Sequence, residues 1–242
     1  MDYTGTSPQV KAVYLDAAHT ILKLARPYPD MLLTALRAFG ISRSESQVIA
    51  SLNRCWAASE GNFSGMNGDY RMNDDIDRAM WHEFYRSMLV DMGVTNLSTE
   101  LLDEIYRQFA VPSNWALYPE TLEAIALLKA RGVTVGVGSN WDSSLPAILK
   151  YLGVLGCVDL VVVSSIIGFR KPAPQFFEEE CVAAGLSPAE VMHVGDHPVA
   201  DVEGALQSGL KAVLVWRQEN PPALQTQVPV VDSLLHVAGL LH

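Results

Sequence analysis

The sequence predicts an α/β fold: a parallel sheet covered by helices on both faces, with an all-helical segment inserted into it. Three observations carry this. Over residues 118–215 strands and helices alternate, and the strands are apolar throughout instead of at every second position. Over about 29–111 the chain reads as helical, with no convincing strand. Ahead of both, Ala12, Val13, Tyr14 and Leu15 form an apolar run that stops abruptly at Asp16. A run that ends in a carboxylate puts that carboxylate at the C-terminal edge of a sheet, where open α/β sheets bind ligands.

The elements follow in order. Met31, Leu32, Ala35, Leu36 and Phe39 keep the 3.6-residue period of a helix, and Gly40 stops it. Residues 48–58 are a second amphipathic run. Residues 61–71, rich in Gly and Asn, read as a loop. A longer helix over 74–92 carries Ile76, Met80, Phe84, Met88 and Leu89. Ser98 caps a helix over 101–109, with Glu100 in its first turn. Further helices over 121–131, 145–151, 173–184 and 199–208 close on Gly132, Gly153, Gly185 and Gly209. Strands over 133–137, 160–163, 191–194 and 212–215 alternate with them. A short strand over 228–231 and a helix over 232–241 come last. The expected architecture is a Rossmann-like core made of residues 1–22 and 113–242, with residues 23–112 as an inserted helical cap.

The charge balance narrows the function classes. With 27 acids against 17 bases the net charge is −10, which disfavours nucleic acid and anionic membranes as partners. A cation can reverse that field locally, so small anionic substrates stay open. The three Cys, at 55, 157 and 181, form no CxxC pair, and Cys157 and Cys181 read as core thiols. Residues 1–10 lack a basic-then-apolar leader pattern, and no apolar run reaches the roughly 18 residues of a membrane span. The expectation is a soluble cytoplasmic protein. The five Trp are scattered and read as core or interface residues. Oligomeric state is not legible.

Four polar signals recur at or after the ends of strands: Asp16, Ser139-Asn140, Lys171-Pro172, and Gly195-Asp196 with Asp201. If the strands ending at Leu15 and Val194 are neighbours, three acids meet at one sheet edge. Clustered carboxylates repel and call for a cation. All-oxygen ligation suits Mg²⁺ better than Zn²⁺. Lys171 supplies a fixed positive charge beside the cluster, and Ser139 and Asn140 offer a hydroxyl and an amide to an anion's oxygens. An acid able to attack, a metal, a Lys and such donors are what phosphoryl transfer through an aspartyl-phosphate requires. Each residue alone has a plainer reading. Asp16 could cap a turn, Ser139 a helix, Lys171 could be a surface charge, and Asp201 a first-turn helix acid.

The order Asp16…Thr20, Ser139, Lys171-Pro172, Gly195-Asp196-His197-Pro198-Val199-Ala200-Asp201 resembles the four motifs of the haloacid dehalogenase-like hydrolases. The helical insert between the first two is similar to that family's first type of cap, and the likeness spans about residues 11–215. The resemblance implies roles. Asp16 would be the nucleophile, with Ser139 on the phosphoryl group, alongside Thr20 and Asn140. Lys171 would neutralise nucleophile and phosphate. Asp196 would bind Mg²⁺ with Asp16 and the Ala18 carbonyl, and Asp201 would hold a metal water or orient Lys171. Residues 61–71 and the flap residues Arg26 and Tyr28 are the expected lining of the entrance, Arg26 facing a substrate anion or solvent.

One position departs from the phosphatase branch, which carries a second Asp as general acid and base two residues after the nucleophile. Here Ala18 stands there, followed by His19 where Gly is usual. The dehalogenase branch also lacks that Asp, but needs no metal and lacks the Gly195-Asp196 pair. The expectation is therefore a Mg²⁺-dependent phosphatase acting on a small phosphorylated metabolite. His19 would either take over the acid–base role or pack against the flap. A metal-independent dehalogenase-type hydrolase and a catalytically weakened binding or scaffold protein are the alternatives.

Overall fold

The computed structural model describes residues 9–63, 68–222, 224 and 226–241. The expectations placed on residues 1–8, and on 64–67 of the glycine-rich stretch, lie outside the described residues.

The chain runs β1 (Ala12–Leu15), β2 (Leu22–Leu24), then four helices, α1 (Tyr28–Ala38), α2 (Glu45–Phe63), α3 (Asp74–Asp91) and α4 (Thr99–Ala110). It returns through β3 (Trp115–Leu117), α5 (Thr121–Ala130), β4 (Thr134–Ser139), α6 (Leu145–Tyr151), β5 (Leu160–Val163), the single turn α7 (Ser164–Ile167) and α8 (Pro174–Ala184). β6 (Val191–Gly195), α9 (Gly204–Gln207), β7 (Lys211–Val215) and β8 (Val230–Val231) complete it. The helix expected over 199–208 is split into a wide turn, Pro198–Glu203, and α9.

Six strands pair in the order β5-β4-β1-β6-β7-β8, every pair parallel. This is the Rossmann-like sheet the sequence predicts. Within β1, Val13 and Leu15 belong to one buried cluster, and Ala12 and Tyr14 to the other. Neighbouring side chains on a strand point to opposite faces, so a strand clad on both faces is apolar at every position. One face packs Ile125 and Leu128 of α5, Ile148 and Leu149 of α6, and Leu234 and Val237 of the last 3₁₀ turn. The other packs Phe176, Phe177 and Cys181 of α8 and Ala205 of α9.

Helices α1 to α4 bury a cluster of their own, including Leu36, Phe84, Tyr85, Met88 and Leu89. Asn73 caps α3 by accepting from the Ile76 N–H, and Ser98 caps α4 by accepting from the Leu101 N–H. Such a cap contributes about 1 kcal/mol. The loop expected from Gly61 starts later, because α2 runs on to Phe63. One Gly costs a helix only about 1 kcal/mol, too little to end it against the turns that precede it.

β2 and β3 are unannounced in the sequence. They pair antiparallel, Leu22 with Leu117 and Leu24 with Trp115, across the two crossings to the helical insert. Three residues are too few to display a period of two. The insert lies over the C-terminal edge of the sheet. There the Met72 N–H donates to the Gly168 carbonyl at 2.9 Å and the Arg170 N–H to the Tyr70 carbonyl at 2.9 Å. The Ser143 N–H donates to Asp74 Oδ1 at 2.9 Å. No described helix is long and apolar enough to cross a membrane.

Candidate active site

Because β1 lies between β4 and β6, the C-terminal ends of three adjacent strands deliver Asp16, Ser139 and Asp196 to one point. Asp201, in the turn after β6, joins them. One carboxylate oxygen from each of Asp16, Asp196 and Asp201 lies within 4.8 Å of the others. Gly195 makes room: a Cβ there would overlap the Asp201 carboxylate. Lys171, 2% exposed, donates from Nζ to Asp16 Oδ1 at 2.7 Å, Asp201 Oδ1 at 2.6 Å and the Gly138 carbonyl at 3.0 Å. Ser139 Oγ donates to Asp16 Oδ1 at 2.9 Å. It does not cap the next helix, where Ser144 is the N-cap. Both contacts fall on Oδ1, and no bond to Oδ2 of Asp16 comes from the described residues.

The charges explain one another. Burial works against the Lys171 ammonium, but Asp16 and Asp201 raise its pKa above the ordinary value. Burial would also raise Asp201, yet Lys171 and His193 hold it well below the carboxylate range. Asp196 receives too little relief to offset its surroundings. Burial, then Asp201, then Asp16 push it up to about 8, with Lys171 opposing. Lys171 and His193 serve mainly Asp201 and Asp16, so the three clustered acids offer oxygen donors whose charge is not fully offset. The donor set therefore fits a hard cation such as Mg²⁺.

The other expected site residues sort differently. Asn140 uses its side chain on the main chain of Lys171: Nδ2 donates to the Lys171 carbonyl at 3.0 Å and Oδ1 accepts from the Lys171 N–H at 2.8 Å. Its amide thus helps to place Lys171, and one Nδ2 hydrogen is left over. Thr20 is fully buried, and its hydroxyl has no partner among the described residues. Arg26 stays with the helical insert, donating to Gln108 Oε1 at 3.2 Å and Thr34 Oγ1 at 3.5 Å. Ala18 and His19 form the tight turn after β1. His19 sits in the left-handed region at φ 58°, where Gly is the usual occupant. Its imidazole pKa is lowered, by desolvation first and by Arg217, against the pull of Asp16.

Arg217 escaped the sequence reading. It donates to the carbonyls of His19 and Thr20 at 3.0 Å each, pairs with Glu120 at 2.7 Å and lies 3.8 Å from the Tyr118 ring centre. It ties the turn after β1 to the segment after β7 and to Glu120 just ahead of α5. Glu180 and His193 were missed as well. Both are fully buried, and His193 Nδ1 lies 2.9 Å from Glu180 Oε1 while Nε2 lies 3.2 Å from Asp201 Oδ1. Burial would lower the His193 pKa, but Glu180 above all raises it, to about 9. A signal existed: Glu180 sits on the buried stripe of α8, with Phe176, Phe177 and Cys181, where an acid is out of place.

A third unexpected group joins insert to core. Tyr106 Oη lies 2.8 Å from Asp77 Oδ2 and 2.7 Å from Asp142 Oδ2. A phenol has one proton, so one of these contacts must be donated by a protonated carboxylic acid. Asp77, 7% exposed, fits that part. Burial raises its pKa to about 6; Asp142 and Asp74 add to this, and the Tyr106 hydrogen bond and Arg170 oppose it. The folded protein therefore holds this proton more tightly than the unfolded chain does. The resulting stabilisation is full below the ordinary value of 3.8 and is lost as pH rises through about 6. The full shift is worth at most about 3 kcal/mol. Asp77→Asn mimics the protonated acid. We expect it to melt above the natural protein at pH 8, with the gap closing toward pH 4. Melting curves that stay parallel across that range would refute the assignment.

Of the expected entrance loop, Asp69 and Arg71 pair with each other and line an open cavity of about 560 Å³ with Gly168 and Phe169, just ahead of Lys171.

Comparison with known proteins agrees with this geometry. The family model for haloacid dehalogenase-like hydrolases matches residues 70–209. The chain is 26% identical over 240 residues to mouse haloacid dehalogenase-like hydrolase domain-containing protein 3, covering 96% of this chain and 94% of that one. It is 32% identical over 135 residues to phosphoserine phosphatase of Thermus thermophilus, covering 54% of this chain and 53% of that one. Among solved structures, the magnesium-bound HAD-hydrolase YfnB of Bacillus subtilis superposes with a TM-score of 0.77 at 17% identity, over 97% of this chain and 100% of that one. With the sheet order, the four strand-end motifs and the family match in agreement, this chain belongs to the haloacid dehalogenase-like hydrolases.

Proposed function

We propose that the chain is a Mg²⁺-dependent phosphatase that removes the phosphoryl group from a small phosphorylated metabolite through an aspartyl-phosphate on Asp16. The observation that carries this is the treatment of Asp16. Lys171 and Ser139 hold Oδ1, which aims the carboxylate, while Asp196 stands beside it only partly compensated. Asp16 Oδ2 attacks phosphorus, the bond to the leaving-group oxygen breaks, and that oxygen takes a proton from water or His19. Water then attacks the phosphorus of the acyl phosphate and returns Asp16 as a carboxylate. Lys171 spreads charge from nucleophile and phosphoryl oxygens, and the Ser139 hydroxyl turns from Asp16 to a phosphoryl oxygen. Asp16, Asp196 and the Ala18 carbonyl would hold Mg²⁺, with Asp201 on a metal water. The ion supplies charge neutralisation for the incoming phosphate when bound. Residues 23–112 act as a cap that closes over this edge and keeps out bulky substrates. Asn140 and Arg217 shape the site through Lys171 and the turn after β1.

The relatives support the class: phosphoserine phosphatase is similar over about half of the chain, and YfnB was solved bound to magnesium. Ala18 favours a dehalogenase-type reaction without metal. Asp196 weighs against it, since an only partly compensated acid has no task in a metal-free site. The deciding test is a panel of phosphorylated metabolites and 2-haloacids, each assayed with Mg²⁺ and with EDTA. Phosphate release that EDTA abolishes, with a phosphorylated Asp16 peptide trapped by acid quench, is expected. Halide release in EDTA without phosphate release would overturn the proposal.

Metal binding has its own readout. Millimolar Mg²⁺ at pH 8.5 should raise the melting temperature by mass action, worth about 2.7 kcal/mol at a hundredfold excess over Kd. Asp196→Ala should lose that shift. A shift retained in Asp196→Ala would remove the residue from the metal site.

A further inference from the structure

We propose that Glu180 and His193 form a buried counter-charge pair that fixes Asp201 from behind and leaves Lys171 free to serve Asp16. The inference rests on the phosphatase reading above and makes both residues positioning residues for it. The argument is a count of protons. An ammonium has three, and Lys171 Nζ has three oxygen acceptors within 3.0 Å: Asp16 Oδ1, Asp201 Oδ1 and the Gly138 carbonyl. None is left for His193 Nε2 at 3.4 Å. That nitrogen faces Asp201 Oδ1 at 3.2 Å, an oxygen already accepting from Lys171, so Nε2 carries its own proton. Nδ1 faces both oxygens of Glu180, at 2.9 and 3.1 Å. In the proposed pair Glu180 is the carboxylate that accepts from Nδ1, which makes the ring an imidazolium.

The result is an alternating line of charge, Glu180, His193, Asp201, Lys171, Asp16, sealed from solvent at its rear end, where Glu180 and His193 are 0% exposed. Without the imidazolium, one ammonium would have to compensate two carboxylates. With it, Asp201 is balanced from behind. The fold makes room for this. A Cβ at Gly138 would overlap the Glu180 carboxylate, so β4 is open where the acid enters. Phe177 packs edge-on to the His193 ring, centroids 5.4 Å apart, and Tyr14 Oη donates to the Glu180 carbonyl at 2.8 Å. A buried pair that served stability alone would have no reason to end on Asp201.

The test has two arms. Protein labelled with ¹⁵N-histidine at pH 7.5 should show His193, assigned by its absence in His193→Gln, protonated on both nitrogens. An unprotonated Nδ1, as expected if Glu180 carried the proton, would overturn the charge line. This arm needs no turnover and no variant of Glu180 that folds. If the natural protein hydrolyses no phosphoester, the phosphatase reading fails separately and the spectrum still decides the charge line. In the second arm Glu180→Gln keeps the volume and removes the charge. Its kcat should fall about 10–100-fold with KM within about threefold, and Glu180→Gln/His193→Gln should lose no more than the worse single variant. Unchanged kcat in a folded Glu180→Gln, or losses that simply multiply, would overturn the positioning role.

Discussion

Asp16→Asn is expected to abolish turnover, by about 10⁴-fold or more, while leaving the fold intact. An amide oxygen does not attack phosphorus, so the covalent route closes. The structure argues that the protein survives the change. Asn keeps the volume, and its Oδ1 still accepts from Lys171 Nζ and Ser139 Oγ, the two bonds that fall on that atom. Lys171, nearly sealed from solvent, keeps Asp201 as an ionised partner at 2.6 Å. One charge also leaves the carboxylate cluster, and Asp16 is among the causes that push Asp196 up to about 8. Without metal the variant should therefore melt no lower than the natural protein, and its response to Mg²⁺ should shrink. Two measurements decide this: steady-state kinetics on the best substrate of the panel, and melting with and without Mg²⁺. Activity above a tenth of the natural level in a folded Asp16→Asn sample would remove Asp16 as the nucleophile.

The second large effect concerns position 18. With Ala there, leaving-group protonation falls to water or to His19. General acid help is typically worth about 10²–10⁴ in rate. An aryl or acyl phosphate leaves as a fairly stable anion and needs little of it. An alkyl phosphate leaves as a basic alkoxide and needs much. The natural protein should favour good leaving groups, and Ala18→Asp should raise alkyl phosphate hydrolysis far more than aryl. The Ala18 carbonyl is main chain, so the change leaves the proposed metal ligand in place. His19 is tested in the same assay. Because it sits at φ 58°, the suitable replacement is Asn, which tolerates the left-handed region better than Ala. If His19 is the acid, His19→Asn depresses alkyl turnover selectively and Ala18→Asp adds little. An alkyl-to-aryl ratio that moves in neither variant would mean that protonation does not limit the reaction.

Much of the fold was legible because the signals are local. β1 is apolar at all four positions and stops at an acid, a pattern that belongs to a strand buried on both faces. Gly132, Gly153, Gly185 and Gly209 all have positive φ, and each follows a helix read from its apolar period. Ser98 at the start of α4 is a cap chemistry that needs no tertiary contact. The gathering of Asp16, Ser139, Lys171, Asp196 and Asp201 could be inferred from motif order, because each follows or ends a strand of one parallel sheet. Asn140 shows the limit. Its type and place were right for an anion donor, yet both ends of its amide bond the main chain of Lys171, 31 residues away.

By itself, then, the sequence determined the strands of the parallel sheet and most helices, the ends of those strands that carry acids, and the family. Periodicity, caps and motif order are written along the chain at short range. Only the tertiary structure decided who faces whom. The strand order β4-β1-β6 brought His193 under Lys171 and left Glu180 a place beside Gly138. The docking of α3 and α4 on the loop after β4 set Tyr106 between two carboxyl groups, Asp77 and Asp142. Arg217 reached back 198 residues to the His19 carbonyl. A residue's partner across the fold is a matter of distance in space, and a side chain's own neighbours in sequence carry no record of it.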